Sequence, residues 1–293
     1  MPFAPGALLR LVGGALVIAL APVLAKLSET GPVATGMWRV LIAAPILWAL
    51  VWSKRHADPE PAARSWRDLV IMVLAGVMLA ADLAVWHASL GFTAVANATL
   101  FNNTVPIFVA ILAFFVGPKP QRAFLLALAA AMAGMALLMA GHAQMSARTL
   151  TGDAMAIATG LFYAVYLTAL AGVRARRSTA LAMAVSTTAA IPLLFFAAWL
   201  AGEALLPQSL SGWGVVLVLG LVVHAGGQSL ITSGLGGVPA TLASIILLLQ
   251  PVVAALIAIP VFGETLAPIQ IAGMVLVLAA IVAARTRTMP AIW

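Results

Sequence analysis

The sequence predicts an all-α membrane protein: ten transmembrane helices in two inverted five-helix repeats, with both termini cytoplasmic. Three observations predict it. Ten apolar stretches follow one another at about 6–27, 33–53, 68–90, 94–115, 121–140, 152–172, 179–200, 211–232, 238–260 and 266–284. Each is roughly 20 residues long, the length a helix needs to cross about 30 Å of hydrocarbon. The basic residues then alternate in density from one connection to the next. Finally, the second half of the chain repeats part of the first.

Composition agrees with the first observation. Hydrophobic residues make up 64% of the 293 and charged residues 8%, against roughly 25% charged in a soluble domain. In lipid such a chain can form only helices or a closed barrel. The apolar runs are continuous rather than alternating, which selects helices. The chain has no cysteine, which excludes disulfides and thiolate metal sites. The connections are short, and no soluble domain is expected between spans.

Numbering the membrane faces alternately gives face A the N-terminus, the loops after spans 2, 4, 6 and 8, and the C-terminus. Face A carries Arg10, Lys54, Arg55, Arg64, Arg67, Lys119, Arg122, Arg174, Arg176, Arg177, Arg285 and Arg287, which is 12 of the 15 basic residues. Face B carries Lys26 and Arg148, and Arg39 lies inside span 2, nearer face B. Short basic loops stay in the cytoplasm, so face A is predicted to be cytoplasmic. The net charge of +7 is thus a topology signal and a contact for anionic lipid, not a nucleic-acid footprint.

The repeat is read from residues 90–117, LGFTAVANATLFNNTVPIFVAILAFFVG, and 235–263, LGGVPATLASIILLLQPVVAALIAIPVFG. An offset of 145 pairs Leu90-Gly91 with Leu235-Gly236 and Pro106 with Pro251. At 146, Gly134 meets Ala280. The two halves are about 1–145 and 146–293. Five spans is an odd number, so the second half enters from the opposite face. That is the inverted arrangement of secondary transporters, whose substrate sites lie near the midplane between the halves.

The spans follow in order. Span 1 has the outline of a signal peptide but is too long and lacks a small-x-small cleavage site, so it is read as retained. Pro22, Pro45, Pro192 and Pro260 are expected kinks or hinges in spans 1, 2, 7 and 9. In span 3, Asp82 is the carboxylate deepest in any span, a proton site or a partner for a substrate ammonium. A hydrogen bond to a neighbouring helix or a charge pair with Arg39 is its structural alternative. Trp86 shares its face and could stack on a flat apolar substrate; His87 points about 100° away from Trp86 and reads first as core.

Span 4 carries Asn97, Asn102, Asn103 and Thr104, and Asn97, Phe101 and Thr104 form one helical stripe. At least one amide is expected to line a cavity; others could serve the carbonyl that Pro106 leaves free. Span 6 carries Thr159, Tyr163 and Tyr166 on one stripe, away from the interfacial positions where tyrosines usually sit. Span 8 carries His224 and Gln228 one turn apart, flanked by Gly226 and Gly227. Gln250 precedes Pro251 in span 9 and serves either the backbone or the substrate. Spans 5 and 10 offer small residues, Ala127, Ala130, Gly134, Gly273, Ala279 and Ala280, as scaffold or a dimer surface. The expected cavity is walled by spans 1, 3, 4, 6, 8 and 9.

At these residues the chain resembles a known family. Asp82-x3-Trp86-His87-Ala88-Ser89-Leu90, then Thr93-x-Val95-Ala96-Asn97-Ala98-Thr99 and Pro106, is similar to the third and fourth helices of the drug/metabolite transporter superfamily. Gly227-Gln228, Ala243-Ser244, Gln250-Pro251 and Gly263-Glu264 are the second-half counterparts, and Trp38-Arg39-Val40-Leu41 also fits the pattern. The chain most resembles the ten-helix EamA type and, within it, bacterial exporters of amino acids, including aromatic ones. The resemblance implies a small-molecule substrate moved outward across the bacterial cytoplasmic (inner) membrane by a monomer or weak homodimer. The first half departs by ending span 4 in Gly117-Pro118-Lys119 where the second has Gly263-Glu264.

Other classes lack their signatures. The sequence has no GxxxxGK[ST] for ATP, no HExxH and no GxSxG, and no cofactor is expected. A membrane enzyme, a channel and an exporter of drugs or nucleosides are the competing readings.

Overall fold

The computed structural model describes residues 5–53, 65–89, 91–93, 95–116, 119–140, 147–263 and 265–287. Every regular element among them is helical. We number ten membrane segments. α1 is Pro5–Ile18 continued by Leu20–Lys26, α2 is Pro32–Ser53 and α3 is Trp66–Ser89. α4 is split into α4a, Val95–Asn102, and α4b, Val105–Val116; α5 is Arg122–Leu138. α6 is Ala147–Arg174, α7 is Thr179–Leu200, and α8 runs Leu210–Val218, Leu219–Gln228 and Ser229–Gly234. α9 is split into α9a, Ala240–Leu247, and α9b, Leu249–Phe262, and α10 is Pro268–Arg287. Seven of these are long and apolar enough to cross a bilayer whole; α4b, α5 and α10 are shorter apolar helices.

Three of the expected continuous spans are interrupted, each just ahead of a proline. α1 breaks at Ala19, three residues before Pro22; α4 breaks at Asn103–Thr104 before Pro106; α9 breaks at Leu248 before Pro251. Proline has no N–H for the carbonyl four residues back, and its ring crowds that carbonyl. Side chains and tight turns take up the slack at the α4 break: Asn103 Nδ2 donates to Thr99 O at 2.7 Å and Thr104 Oγ1 to Phe101 O at 2.6 Å. Pro45, Pro192 and Pro260 lie in helices that continue through them. The α4 and α9 breaks are one repeat apart, which makes them a property of the repeat. The middle of α8, Leu219–Gln228, is π-helical, a winding that is frequent at functional sites.

The small-residue faces of α5 and α10 close on each other. A Cβ at Gly134 would stand 2.8 Å from Gly273 O and 2.9 Å from Val277 N, so only glycine permits the backbones to come this near. Around this contact Met135, Leu138, Met274 and Val277 form a buried cluster. α3 packs on α6 and α7, α2 on α7, and α1 on α8, so helices of one half are seated mainly on helices of the other. Polar junctions finish both faces. At face A, Asp68 of α3 accepts from Arg176 at 2.8 Å and Arg177 at 2.7 Å. At face B, Glu203 caps α2 through Val33 N and Ala34 N, Glu29 binds the start of α8 through Gln208 N, Ser209 N and the Ser209 hydroxyl, and Thr93 Oγ1 meets Asp153 at 2.6 Å. Gly263 ends α9b at φ +69°, a left-handed cap that glycine adopts without strain.

Candidate functional site

A cavity of about 570 Å³ lies at the centre of the bundle, within the range of small-molecule sites. Its walls come from the face-B halves of α1, α2, α3, α4 and α9 and from the face-B ends of α5 and α10; Tyr163 of α6 and Leu219 and Gln228 of α8 form its floor near mid-depth. It therefore opens toward face B. At face A, the buried run Leu242–Leu247 of α9a closes the way.

Eight of the polar and aromatic residues singled out in the sequence meet on this cavity: Asp82, Trp86, His87, Asn102, Asn103, Tyr163, Gln228 and Gln250. They form connected pairs. Asn102 Nδ2 donates to Asp82 Oδ1 at 3.2 Å and to Thr159 Oγ1 at 2.7 Å, which ties α3, α4a and α6 together at one depth. The Tyr163 hydroxyl lies 3.3–3.4 Å from the Gln228 amide and joins α6 to the π-helical part of α8. Trp86 and His87 contact edge to face at 4.8 Å, so both reach the cavity although they are adjacent. His87 Nδ1 is 3.2 Å from Leu83 O, and its buried Nε2 has no partner among the described residues.

The remaining candidates stand elsewhere. Tyr166 is fully buried behind Tyr163, with ring centroids 5.5 Å apart and its hydroxyl aimed at Met183 Sδ, 3.7 Å away; it buttresses the floor. His224 is held by α7, its Nε2 2.9 Å from Thr187 Oγ1, and does not reach the cavity with Gln228. Phe101 is not among the lining residues, because the turn at Asn103–Thr104 ends the helical stripe that includes it; Thr99, Asn102 and Asn103 face the cavity instead. The Asn97 side chain, Gly117-Pro118 and Glu264 lie outside the described residues.

Two cations that the sequence did not single out as site residues also line the cavity. Arg39 does so from α2, a helix outside the expected wall. Lys26 stands at the mouth, its Nζ 4.0 Å from the centre of the Phe262 ring, a cation–π contact. Arg39 does carry a signal in the sequence: an arginine inside a span is costly and marks a pathway or a site.

The model of the EamA-like transporter family matches the chain twice, over residues 5–140 and 150–286. An uncharacterized transporter of Archaeoglobus fulgidus is 32% identical over 142 residues, 48% of this chain and 48% of that protein. The chain thus matches about half the length of this relative. The uncharacterized transporter YwfM of Bacillus subtilis is 28% identical over 255 residues, 84% of this chain and 82% of that one. A solved structure titled only as the crystal structure of a protein superposes with a TM-score of 0.76 at 16% identity, covering 95% of this chain and 96% of its own, which speaks for the fold.

Proposed function

Because the chain belongs to the EamA-like transporter family, we propose that it is a secondary transporter that exports small amphipathic metabolites, amino acids with apolar or aromatic side chains foremost, by alternating access. The observation that carries this is the central cavity: both halves line it, its volume of about 570 Å³ suits a small molecule, and its lining residues lie toward face B. Trp86 and Tyr163 offer flat apolar walls, Asn102, Gln228 and Gln250 offer amides, and Asp82 offers a negative charge to an ammonium group. By the positive-inside rule face B is external, so the cavity faces outward from a bacterial cytoplasmic membrane. The export direction rests on the family resemblance.

Counterflow of radiolabelled amino acids in proteoliposomes tests the reading, with unlabelled phenylalanine, threonine, uridine and a cationic drug as competitors. Saturable accumulation competed by amino acids is expected. Accumulation competed only by uridine or the drug would replace the substrate class, and non-saturable entry would replace the carrier by a channel. Asp82→Asn separates two driving forces: if a proton moves with the substrate, the variant loses the pH dependence of flux.

A further inference from the structure

We infer that Arg39 is the carboxylate anchor of the cavity and that, with Asp82 level with it, it selects substrates carrying both an anionic and a cationic group. The inference deepens the amino-acid reading above and rests on it only for the identity of the transported molecule.

Arg39 lies seven residues into α2 from face B, and Asp82 lies seven residues before the face-B end of α3. At 1.5 Å per residue both are about 10 Å below that face. The helices are neighbours at this level, since a Cβ at Gly36 would stand 3.6 Å from Leu83 Cβ and 3.8 Å from His87 Cε1. Both charged side chains line the same cavity. They nevertheless do not pair: Arg39 makes no hydrogen bond or ion pair among the described residues.

The guanidinium has five donors in a planar fork. Its Nε is buried without an acceptor among the described residues, and the side chain lines the cavity. Asp82 is in the same condition. Asn102 donates to one carboxylate oxygen, and among the described residues the other takes no hydrogen bond. A positive fork and a carboxylate thus line one cavity at one depth, close enough to feel each other's charge but with no direct ion pair between them among the described residues. An unpaired arginine at membrane depth is costly, and a substrate carboxylate fits its fork in two parallel hydrogen bonds. A substrate ammonium then meets Asp82, and the apolar body lies along Trp86 and Tyr163.

The test uses purified full-length protein and three ligands of one carbon skeleton: phenylalanine, which has both charges, phenylpropionate, which has only the carboxylate, and phenethylamine, which has only the ammonium. Binding is read as ligand-induced rise of the melting midpoint and as Trp fluorescence, for wild type, Arg39→Gln, Arg39→Lys and Asp82→Asn. Phenylalanine is expected to bind wild type most tightly. Arg39→Gln weakens phenylalanine and phenylpropionate by roughly 30-fold or more, as loss of one partner of a desolvated charge pair does, and leaves phenethylamine unchanged. Asp82→Asn gives the mirror image, and Arg39→Lys restores part of the carboxylate response. An equal loss for all three ligands in Arg39→Gln would overturn the inference and make Arg39 a structural residue, as would a wild type that binds phenethylamine as tightly as phenylalanine. If ligands discriminate in this way while counterflow fails, the transport reading falls and the anchor stands.

Discussion

α4a and α9a are the same piece of structure in the two halves, yet they are packed differently. The offset of 145 sets Thr99 on Ser244, Asn102 on Leu247 and Asn103 on Leu248. Residues Leu242–Leu247 of α9a are all buried, and the segment is seated against α1, α4b, α6 and α10. α4a packs on α6 and α3 and turns Thr99, Asn102 and Asn103 to the cavity. One repeat unit is a plug at face A and a wall at face B. The polar junctions teach the opposite. Shifting by 144 sets Ser65 on Ser209 and Asp68 on Gly212, so the Arg176 and Arg177 junction at face A has its counterpart in the Glu29 junction at face B. Both are formed. Junctions, or ties, closed at both faces do not follow the one-sided opening of the cavity; the half-helices do.

The strongest way to break the comparison is to make α9a resemble α4a. Leu247→Asn puts an amide where Asn102 sits in the other half, but into a packed wall where Leu247 is 5% exposed. Lost burial and a desolvated amide together amount to about 3 kcal/mol. The melting midpoint should fall by several degrees and face A should become accessible; an unchanged midpoint would show that α9a is not the plug.

Labelling sharpens the same comparison without disturbing it, because the chain has no cysteine of its own. Thr99→Cys faces the cavity and Ser244→Cys replaces a side chain that is 1% exposed. With a membrane-permeant thiol reagent the first variant should react at least ten times faster, since the buried site reacts only through opening. Conditions that turn the cavity to face A should reverse the ratio. Equal rates would erase the asymmetry between plug and wall.

The ties should behave otherwise. Asp68→Asn removes the charge that holds Arg176 and Arg177, and the Asp68 and Arg177 side chains are 4% and 13% exposed. A loss of about 1–2 kcal/mol is expected, with the labelling ratio of the Thr99→Cys and Ser244→Cys variants unchanged. A shifted ratio would make the junction a gate.

These contrasts also show what the sequence can disclose. Ten spans are legible because apolar length is a one-dimensional property. The breaks are half legible: Pro106 and Pro251 mark them, but Pro45, Pro192 and Pro260 look the same, and the helices continue through those. The π-helical stretch of α8 has no signal beyond its glycines. Asp82, Trp86 and Asn102 are legible as polar or aromatic groups at depth. Tyr166 and His224 look identical by that criterion and are held by Met183 and Thr187 of α7, because which helix stands behind a polar side chain is a matter of packing. Arg39 is visible in the sequence as a charge partner for Asp82; the two feel each other's charge but make no direct ion pair among the described residues.

The smallest expected effect concerns the chemistry by which the two ties differ. At face A both members of the junction are side chains; at face B the Glu29 carboxylate binds the Ser209 hydroxyl and the N–H groups of Gln208 and Ser209. Those three donors, the hydroxyl first, hold the Glu29 carboxyl below its ordinary value of 4.5. The folded state therefore favours the ionised group more than the unfolded chain does. Its stabilisation is complete above the ordinary value and is lost as pH falls through the lower, folded one. Wild type should melt slightly above Glu29→Gln at neutral pH, and the gap should close as pH falls below the ordinary value of 4.5. Glu29 is solvent-exposed, so the gap is small and shrinks with salt. A gap that persists at low pH would mean that the side chain works as a neutral acceptor; the face-B tie would then differ from the face-A tie in kind, with no charge at stake.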